Sequence, residues 1–415
     1  MTATAPAPTQ PAVTPSHFGL AVLALATGGF AIGTTEFVTM GVLPQIADGV
    51  EVSIPSAGHL ISSYALGVVI GAPVLAYFGA RLPRRGLLIG LMAAYALFNA
   101  LSAVSTSFEM LFVFRFLDGL PHGIYFGVAS LVAASMASPE RKGRAVASVM
   151  LGLSVANVVG VPAATWLGQQ VGWRAVFLLV AVMAVVTVVM TVLFVPSVPG
   201  DPDAKGRREL AAFTKSQVWL TLAIGAIGFG GMFALMSYIA KTVTETGGLH
   251  ESAVPVFLLA FGLGMVFGTW VAGELARWSI LKSLVVGSLG MAAALLGYAA
   301  LAPFGWAALP MAFLVTSLGS VLVVNLQLRL MDVAGEAQTL GAAMNHASLN
   351  VANALGAWLG GLVIAAGYGY RAPALVGVGL SLAGFVVLLI SGWLALRRAA
   401  QSVSQSVGQS VEPVR

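Results

Sequence analysis

The sequence predicts an all-α membrane protein with twelve transmembrane helices in two pseudo-symmetric six-helix bundles, and three observations support this prediction. First, 58% of the 415 residues are hydrophobic and only 8% are charged, whereas a soluble domain carries about 25% charged residues. Second, apolar runs of about 20 residues, the length that crosses a bilayer, recur about twelve times. Third, a sequence repeat relates the two halves of the chain.

The apolar runs form two sets of six, separated by a polar linker. They are residues 18–46, 54–80, 86–106, 108–137, 144–169 and 174–196, then 216–243, 252–276, 281–302, 306–331, 339–366 and 372–396. We therefore predict bundles over 18–196 and 216–398, joined by a cytoplasmic linker over 197–215. Residues 1–17 are rich in Pro, Thr and Ala, and 399–415 repeat Gln-Ser-Val. Both ends are predicted to be disordered tails, and the first is not a signal peptide.

The repeat lies in the fifth and eleventh runs. Residues 154–160, SVANVVG, resemble residues 350–356, NVANALG, and each copy is followed by Gly-aromatic-Arg-Ala, at Gly172 and at Gly369. A chance match between helices rich in Ala, Gly and Val is the alternative. Two parallel halves predict a pseudo-twofold axis along the membrane normal, with a central cavity between them.

Basic residues predict which side of the membrane each loop occupies. If the N-terminus is cytoplasmic, the basic clusters at 81–85 and 141–144 and the central linker fall inside. Asp48 and Glu51 then fall outside, and Arg174 is one of a few exceptions. Both termini are therefore predicted to be cytoplasmic, and the pI near 9.6 reflects this topology rather than binding to nucleic acid.

The fourth run carries an unusual set of polar residues. Arg115, Asp118 and His122 fall within an arc of about 60° on a helix, so they share one face. A charge at mid-bilayer costs about 2.5–3.5 kcal/mol, so this face is predicted to point inward. Two roles stay open for Asp118, the local i,i+3 partner of Arg115 or a proton relay. His122 is either a titrating group or a packed, hydrogen-bonded side chain.

Three motifs together resemble one known family. They are Gly33-Thr34-Thr35-Glu36-Phe37 with Gly41-Val42-Leu43-Pro44 in the first run, RFLDGLPHG over 115–123, and GLSVANVVGVPAATWLG over 152–168. Over about 18–398 the chain resembles the major facilitator superfamily, more narrowly its drug:proton antiporter branch with sugar efflux permeases and chloramphenicol exporters. The resemblance implies proton-coupled efflux of a small neutral or amphiphilic molecule by alternating access. It implies a monomer in the bacterial inner membrane, with no cofactor.

One motif departs from that family. In the loop between the second and third runs, Ala80 and Pro83 stand where the family usually carries Asp and Gly. The cytoplasmic latch attributed to that Asp is therefore not expected in the first half. In the second half, the corresponding loop carries Glu274 and Arg277, which could form such a latch. The alternative is that both basic clusters only set the topology, which the positive-inside bias alone explains.

Glu36 is the other acid deep inside an apolar run. It lies about 15 Å from the outer end of its run, and Arg115 lies about 10 Å from the outer end of the fourth, so their depths are similar. A carboxyl group that meets and then leaves a guanidinium releases and regains a proton in turn, as antiport requires. Glu36, Arg115, Asp118 and His122 are therefore the predicted proton-coupling residues, and a permanent structural Glu36–Arg115 pair is the alternative.

Further residues are candidates for substrate contact. The aromatic ones, for which core or lipid contact is the alternative, are Phe30, Phe37, Tyr64, Tyr125 and Phe126. The others are Asn157, Tyr238, Asn325, Gln327, Asn345, His346 and Asn350. Interhelical hydrogen bonding is the alternative for Asn157, Asn350 and Asn353, and we favour it for Asn157 and Asn353.

The sequence also argues against other classes of function. There is no cysteine, hence no disulfide and no thiolate metal site, and His122 is not interpreted as a metal ligand. GxxxxGK[ST] is absent, which argues against ATP as the energy source, and no catalytic triad or carboxylate pair indicates an enzyme. An uptake symporter or uniporter on the same fold remains an alternative to efflux, as does a non-transporting receptor or scaffold. A cavity with few charges suits sugars, sugar analogues or antibiotics of the chloramphenicol kind.

Overall fold

Twelve long helices form the protein in the computed structural model, which describes residues 15–79, 81–138, 141–199, 214–334 and 338–409. Ten of them are α1 Pro15–Gly41, α2 Ile54–Gly79, α3 Arg84–Ala103, α4 Phe108–Met136, α6 Trp173–Phe194, α8 Val254–Trp278, α9 Ile280–Leu301, α10 Leu309–Ala334, α11 Gln338–Ala365 and α12 Ala372–Gln409. The other two are segmented. α5 runs through Lys142–Val155, Ala156–Gly160 and Val161–Val171. α7 runs through Ser216–Ala223, Ile224–Gly228, Gly230–Met236, Ile239–Lys241 and Thr242–Thr246.

The predicted number of spans is confirmed. Eleven helical stretches within the described ranges are long and apolar enough to cross a membrane, and one of them, Ile280–Val333, contains both α9 and α10. These two helices merge because the 3₁₀ turn Ala302–Ala308 continues the helical path across a kink, where Gly305 takes a φ of 60°. Helices are the expected solution because lipid offers no hydrogen-bond partner to the backbone.

Some predicted boundaries differ from the observed ones. α1 ends at Gly41, and Leu43–Gly49 forms a separate short helix with Pro44 in its first turn, where proline is tolerated. α12 continues to Gln409, past the predicted boundary at 398. The predictions for residues 1–14, 200–213 and 410–415, and for Ala80, lie outside the described residues.

The two halves pack in the same pattern. In the first half α1 contacts α5 and α6, α2 contacts α4, and α3 contacts α4 and α6. In the second half α7 contacts α11 and α12, α8 contacts α10, and α9 contacts α10 and α12, which is the same set with each label raised by six. The main contacts between the halves, α2 with α11 and α5 with α8, exchange under the same shift. This is the arrangement that an internal repeat of two parallel halves predicts.

A π-helical turn interrupts α5 at Ala156–Gly160, just before Pro162. Proline has no backbone N–H to donate, and its ring crowds the preceding turn, so the helix accommodates it by widening. The π turn lies where α5 packs against α8 of the other half. Pro162 therefore shapes the contact between the two bundles.

Glycine allows that contact to be close. A Cβ added to Gly262 of α8 would meet the backbone of Asn157 and Val158 in the π turn of α5. A Cβ added to Gly273 of the same helix would have no heavy atom within 4 Å. We call the contact between α5 and α8 the seam. Its close approach depends on glycine at 262 and not at 273.

Gly262→Val is therefore expected to destabilise the protein by about 1–3 kcal/mol, the range for overpacking, because the backbone of α5 has to move away. Thermal unfolding of the purified protein in detergent measures the effect. Gly273→Val, on the same helix, is the matched control and should unfold near the wild-type temperature. Equal unfolding temperatures for the two variants would contradict the close contact at the seam.

Candidate functional site

A buried ion pair forms the centre of the first bundle. Arg115 donates through Nη1 to Asp118 Oδ2 at 2.8 Å, and their side chains are 1% and 0% exposed. Asp118 Oδ1 accepts a second hydrogen bond from Asn99 Nδ2 at 2.6 Å. Asn99 in turn accepts from Thr35 Oγ1 at 3.1 Å and donates to the carbonyl of Tyr95. Arg115 and Asp118 are thus the local pair that their spacing allowed, and both carboxylate oxygens of Asp118 are bonded.

The rest of the Arg115 guanidinium is not bonded. Its central carbon lies 4.2 Å from the centre of the Tyr64 ring and 5.5 Å from that of Phe177, as in cation–π contacts. Nε and Nη2 are buried and have no hydrogen-bond partner among the described residues. A buried donor without a partner costs about 1–3 kcal/mol, and more on a charged group. Arg115 therefore keeps donors available for a second acceptor.

Glu36 lies in the same bundle, on α1 next to Thr35, which links α1 to Asn99. Its side chain is only 8% exposed, so it does not face lipid. Glu36 forms no ion pair with any residue that the structure describes, and Arg115 of the same bundle is paired with Asp118. Glu36 and Arg115 thus lie in the same bundle and are not bonded to each other in this structure.

A chain of rings leads from this cluster into the second bundle. The Tyr64 hydroxyl lies 3.3 Å from the Tyr95 hydroxyl and 3.0 Å from His122 Nδ1. The His122 ring meets Phe126 edge-on at 5.6 Å, and Phe126 stacks at 6.2 Å on His346 of α11. His122 is thus hydrogen-bonded and packed, and among the described residues no group of three His, Cys, Asp or Glu side chains is arranged to hold a metal.

The bundles also meet at the opposite end of the helices, where α1 ends and α2 begins; we call this the far end. Phe37 of α1 stacks on Phe233 of α7 with centroids 6.3 Å apart. Gln45 and Gln169 both donate to Glu251, the first to its carboxylate and the second to its carbonyl. A shared hydrophobic core continues across the bundles here. The far end is therefore closed by a broad contact.

The remaining aromatic candidates pack mainly within one bundle, although the Tyr238 hydroxyl also faces Gly58 of α2 in the other bundle. Tyr125 is fully buried and its hydroxyl donates to the carbonyl of Leu25, so it packs α4 against α1. Phe30 is half-buried. Tyr238 donates to the carbonyl of Ala357 at 2.7 Å and thereby ties α7 to α11.

The favoured interhelical hydrogen bonds of the asparagines are not found. Asn157 donates to Leu153 of its own helix, and Asn353 has no partner for either amide atom. Asn325 and Asn350 also donate within their own helices, to Val321 and His346. The prediction for Asn157 and Asn353 is therefore wrong, since Asn157 donates to the carbonyl one turn earlier in its own helix and Asn353 has no partner among the described residues.

Two further candidates and the predicted latch complete the set. Asn345 is buried with both amide atoms unpartnered, and Gln327 is half-buried. Arg277 pairs with Glu274 at 3.4 Å, but both side chains are exposed and lie on α8, so this pair ties no two helices together.

Sequence reasoning missed Asn99, Thr35 and Tyr95. Asn99 is a polar residue in the middle of an apolar run, which is the signal that would have found it.

Comparisons with known proteins identify the family to which this chain belongs. The family model described as Major Facilitator Superfamily matches residues 25–347. The chain is 39% identical over 384 residues to the inner membrane transport protein YdhP of Escherichia coli strain K12, covering 92% of this chain and 97% of that protein. It is 33% identical over 336 residues to a chloramphenicol resistance protein of Streptomyces lividans, covering 80% and 86%. The crystal structure of a D-xylose-proton symporter has a similar fold, with a TM-score of 0.69 at 16% identity over 89% of this chain and 97% of that chain.

Proposed function

Since the chain belongs to the major facilitator superfamily, a family of multi-pass membrane transporters, we propose that it exports a small neutral or amphiphilic molecule in exchange for protons. The observation that carries this proposal is the buried Glu36 beside an Arg115 guanidinium that has two unpartnered nitrogens. An ionisable side chain inside a membrane span costs free energy, so a buried acid at this depth indicates a functional role.

The proposed exchange depends on two alternative partners of the Glu36 carboxylate, a proton and the guanidinium of Arg115. Glu36 has no ion-pair partner among the described residues, and a movement of α1 against α4 that brought its carboxylate to the free nitrogens of Arg115 would pair the two groups. An ionised Glu36 is stabilised by that contact, whereas a protonated one is not, so taking up a proton favours separation of the two groups. Asp118 holds Arg115 in place through its own ion pair in this structure. A protonation event at Glu36 is thereby linked to a movement of α1.

Alternating access opens the site to one side of the membrane at a time, and the proton gradient supplies the direction of transport. The far end is closed by the broad contact around Phe37 and Phe233, while Phe126 and His346 meet nearer the other end. In this proposal both termini lie in the cytoplasm of a bacterium, the protein acts as a monomer in the inner membrane, and the far end faces outward. The named function of the Streptomyces relative supports a neutral antibiotic as one substrate class.

Transport by inside-out membrane vesicles tests the proposal. With an acidic lumen, radiolabelled chloramphenicol or L-arabinose is expected to accumulate inside the vesicles well above the level in vesicles that lack the protein. A protonophore should abolish the accumulation, because the proton gradient drives it. Expulsion of both probes from acid-loaded vesicles would indicate symport and contradict the proposal. Equilibration without any effect of the gradient would contradict it as well.

A further inference from the structure

Helix α11 carries buried amides that lack hydrogen-bond partners. Asn345, Asn350 and Asn353 are 1%, 4% and 0% exposed. Both amide atoms of Asn345 and Asn353, and Oδ1 of Asn350, have no partner among the described residues. The contrast is Asn99 in the other bundle, whose amide is bonded to Asp118, Thr35 and Tyr95. Since buried polar groups are nearly always bonded, this concentration on one helix needs an explanation.

Two of these amides share the helix face that meets the first bundle. Asn350 and Asn353 lie four and seven residues after His346, spacings that place all three on one side of α11. His346 stacks on Phe126 of α4, so this side is turned toward the first bundle. Ser348 lies on the opposite side, where its hydroxyl faces Gly225 of α7 and donates to the Asn345 carbonyl.

The amides also lie at the depth where a substrate would be held. Along α11 they fall between His346, which touches Phe126, and Ala357, whose carbonyl is bound by Tyr238 near the far end. Alternating access requires the two bundles to separate along this face. The closed packing leaves the amides unsatisfied, and separation would expose them to water or to a ligand, so their burial favours opening.

We infer that Asn350 and Asn353 form the substrate-recognition face of α11 and select a neutral molecule that carries hydroxyl or amide N–H donors together with oxygen acceptors. This inference rests on the proposed function, since it assumes that the substrate passes between the bundles. The side-chain Oδ1 atoms of Asn350 and Asn353 need hydrogen-bond donors from the ligand, and Nδ2 of Asn353 needs an acceptor. α11 has no Lys, Arg, Asp or Glu over its whole length, so it offers no counter-charge to an anion.

Stability measurements test whether these amides are free. Asn353→Leu is nearly isosteric and removes two unsatisfied atoms, so the full-length protein in detergent should unfold at a temperature no lower than wild type. Asn99→Leu removes bonded groups and should lower the unfolding temperature clearly. Ser348→Ala is the matched control on the opposite side of α11. An Asn353→Leu protein that is destabilised as much as Asn99→Leu would overturn the inference, because the amide would then be structural.

Ligand binding tests the substrate class with the same proteins. Chloramphenicol or L-arabinose should raise the unfolding temperature of wild type and Ser348→Ala, with affinity about tenfold or more weaker for Asn353→Leu and Asn350→Leu, as for one lost hydrogen bond. Glucose 6-phosphate should have no effect. Unchanged affinity in both Leu variants would overturn the inference, and so would the absence of any shift in wild type with both neutral probes. If binding depends on Asn353 but vesicle transport ignores the proton gradient, the inference holds and the proposed antiport fails.

Discussion

Glu36→Gln is expected to abolish uphill, proton-driven export while leaving exchange of substrate for substrate intact. Glutamine keeps the size and the hydrogen-bonding capacity of a protonated glutamate but takes up and releases no proton. The variant should therefore behave as a transporter fixed in its proton-loaded form. Accumulation in acid-loaded inside-out vesicles should fall to the level of vesicles without the protein, and counterflow with substrate on both sides should continue near the wild-type rate.

The control for this experiment is an acid outside the buried cluster. Glu245 is 54% exposed and pairs with Lys241 on the same helix. Glu245→Gln should leave accumulation unchanged, since exposed pairs of this kind contribute about 0–1 kcal/mol. If Glu36→Gln still accumulates substrate in response to the proton gradient, Glu36 is not the coupling residue. If counterflow is lost as well, Glu36 is needed for binding or folding, and its assignment to proton coupling is wrong.

The sequence predicts the fold well because lipid restricts the possibilities. Helices are the solution that satisfies the backbone in spans of this composition, and the spacing of the apolar runs locates them. The repeat at 154–160 and 350–356 predicts the matching of the two halves, which the helix contacts confirm. The π turn beside Pro162 in α5 and the segmentation of α7 were not predicted, because helical periodicity does not show where a helix widens or breaks against its neighbours.

The buried cluster was predicted only in part, for a similar reason. Arg115, Asp118, His122 and Glu36 stand out because charged and titratable groups are rare in apolar runs. Helical periodicity gives the face of a residue and not its partner, so it does not predict that Asp118 also binds Asn99. The same limit explains why Asn353 was expected to bond to a neighbouring helix and instead has no partner. Contacts between the bundles, such as Phe126 with His346, depend on three-dimensional packing alone.

Asp118→Leu is expected to cause the largest loss of stability of any variant considered, about 3–5 kcal/mol, because it leaves the Arg115 charge buried and unpaired. Asn99 loses its carboxylate partner in the same change. Glu274→Leu is the matched control, since Glu274 pairs with Arg277 at the same i,i+3 spacing and both of these side chains are exposed. That change should cost no more than about 1 kcal/mol. Denaturation of the purified proteins in detergent compares the two.

The double variant Arg115→Met with Asp118→Leu separates the charge effect from the loss of packing. Removing both ions takes away the unpaired charge, and replacing a buried ion pair with apolar side chains is often neutral or stabilising. The double variant should therefore be more stable than Asp118→Leu alone, although Asn99 still lacks one partner. If Asp118→Leu does not fold, recovery of folded protein in the double variant gives the same information. A double variant no better than the single one would mean that Asp118 supports the bundle through Asn99, and not by neutralising Arg115.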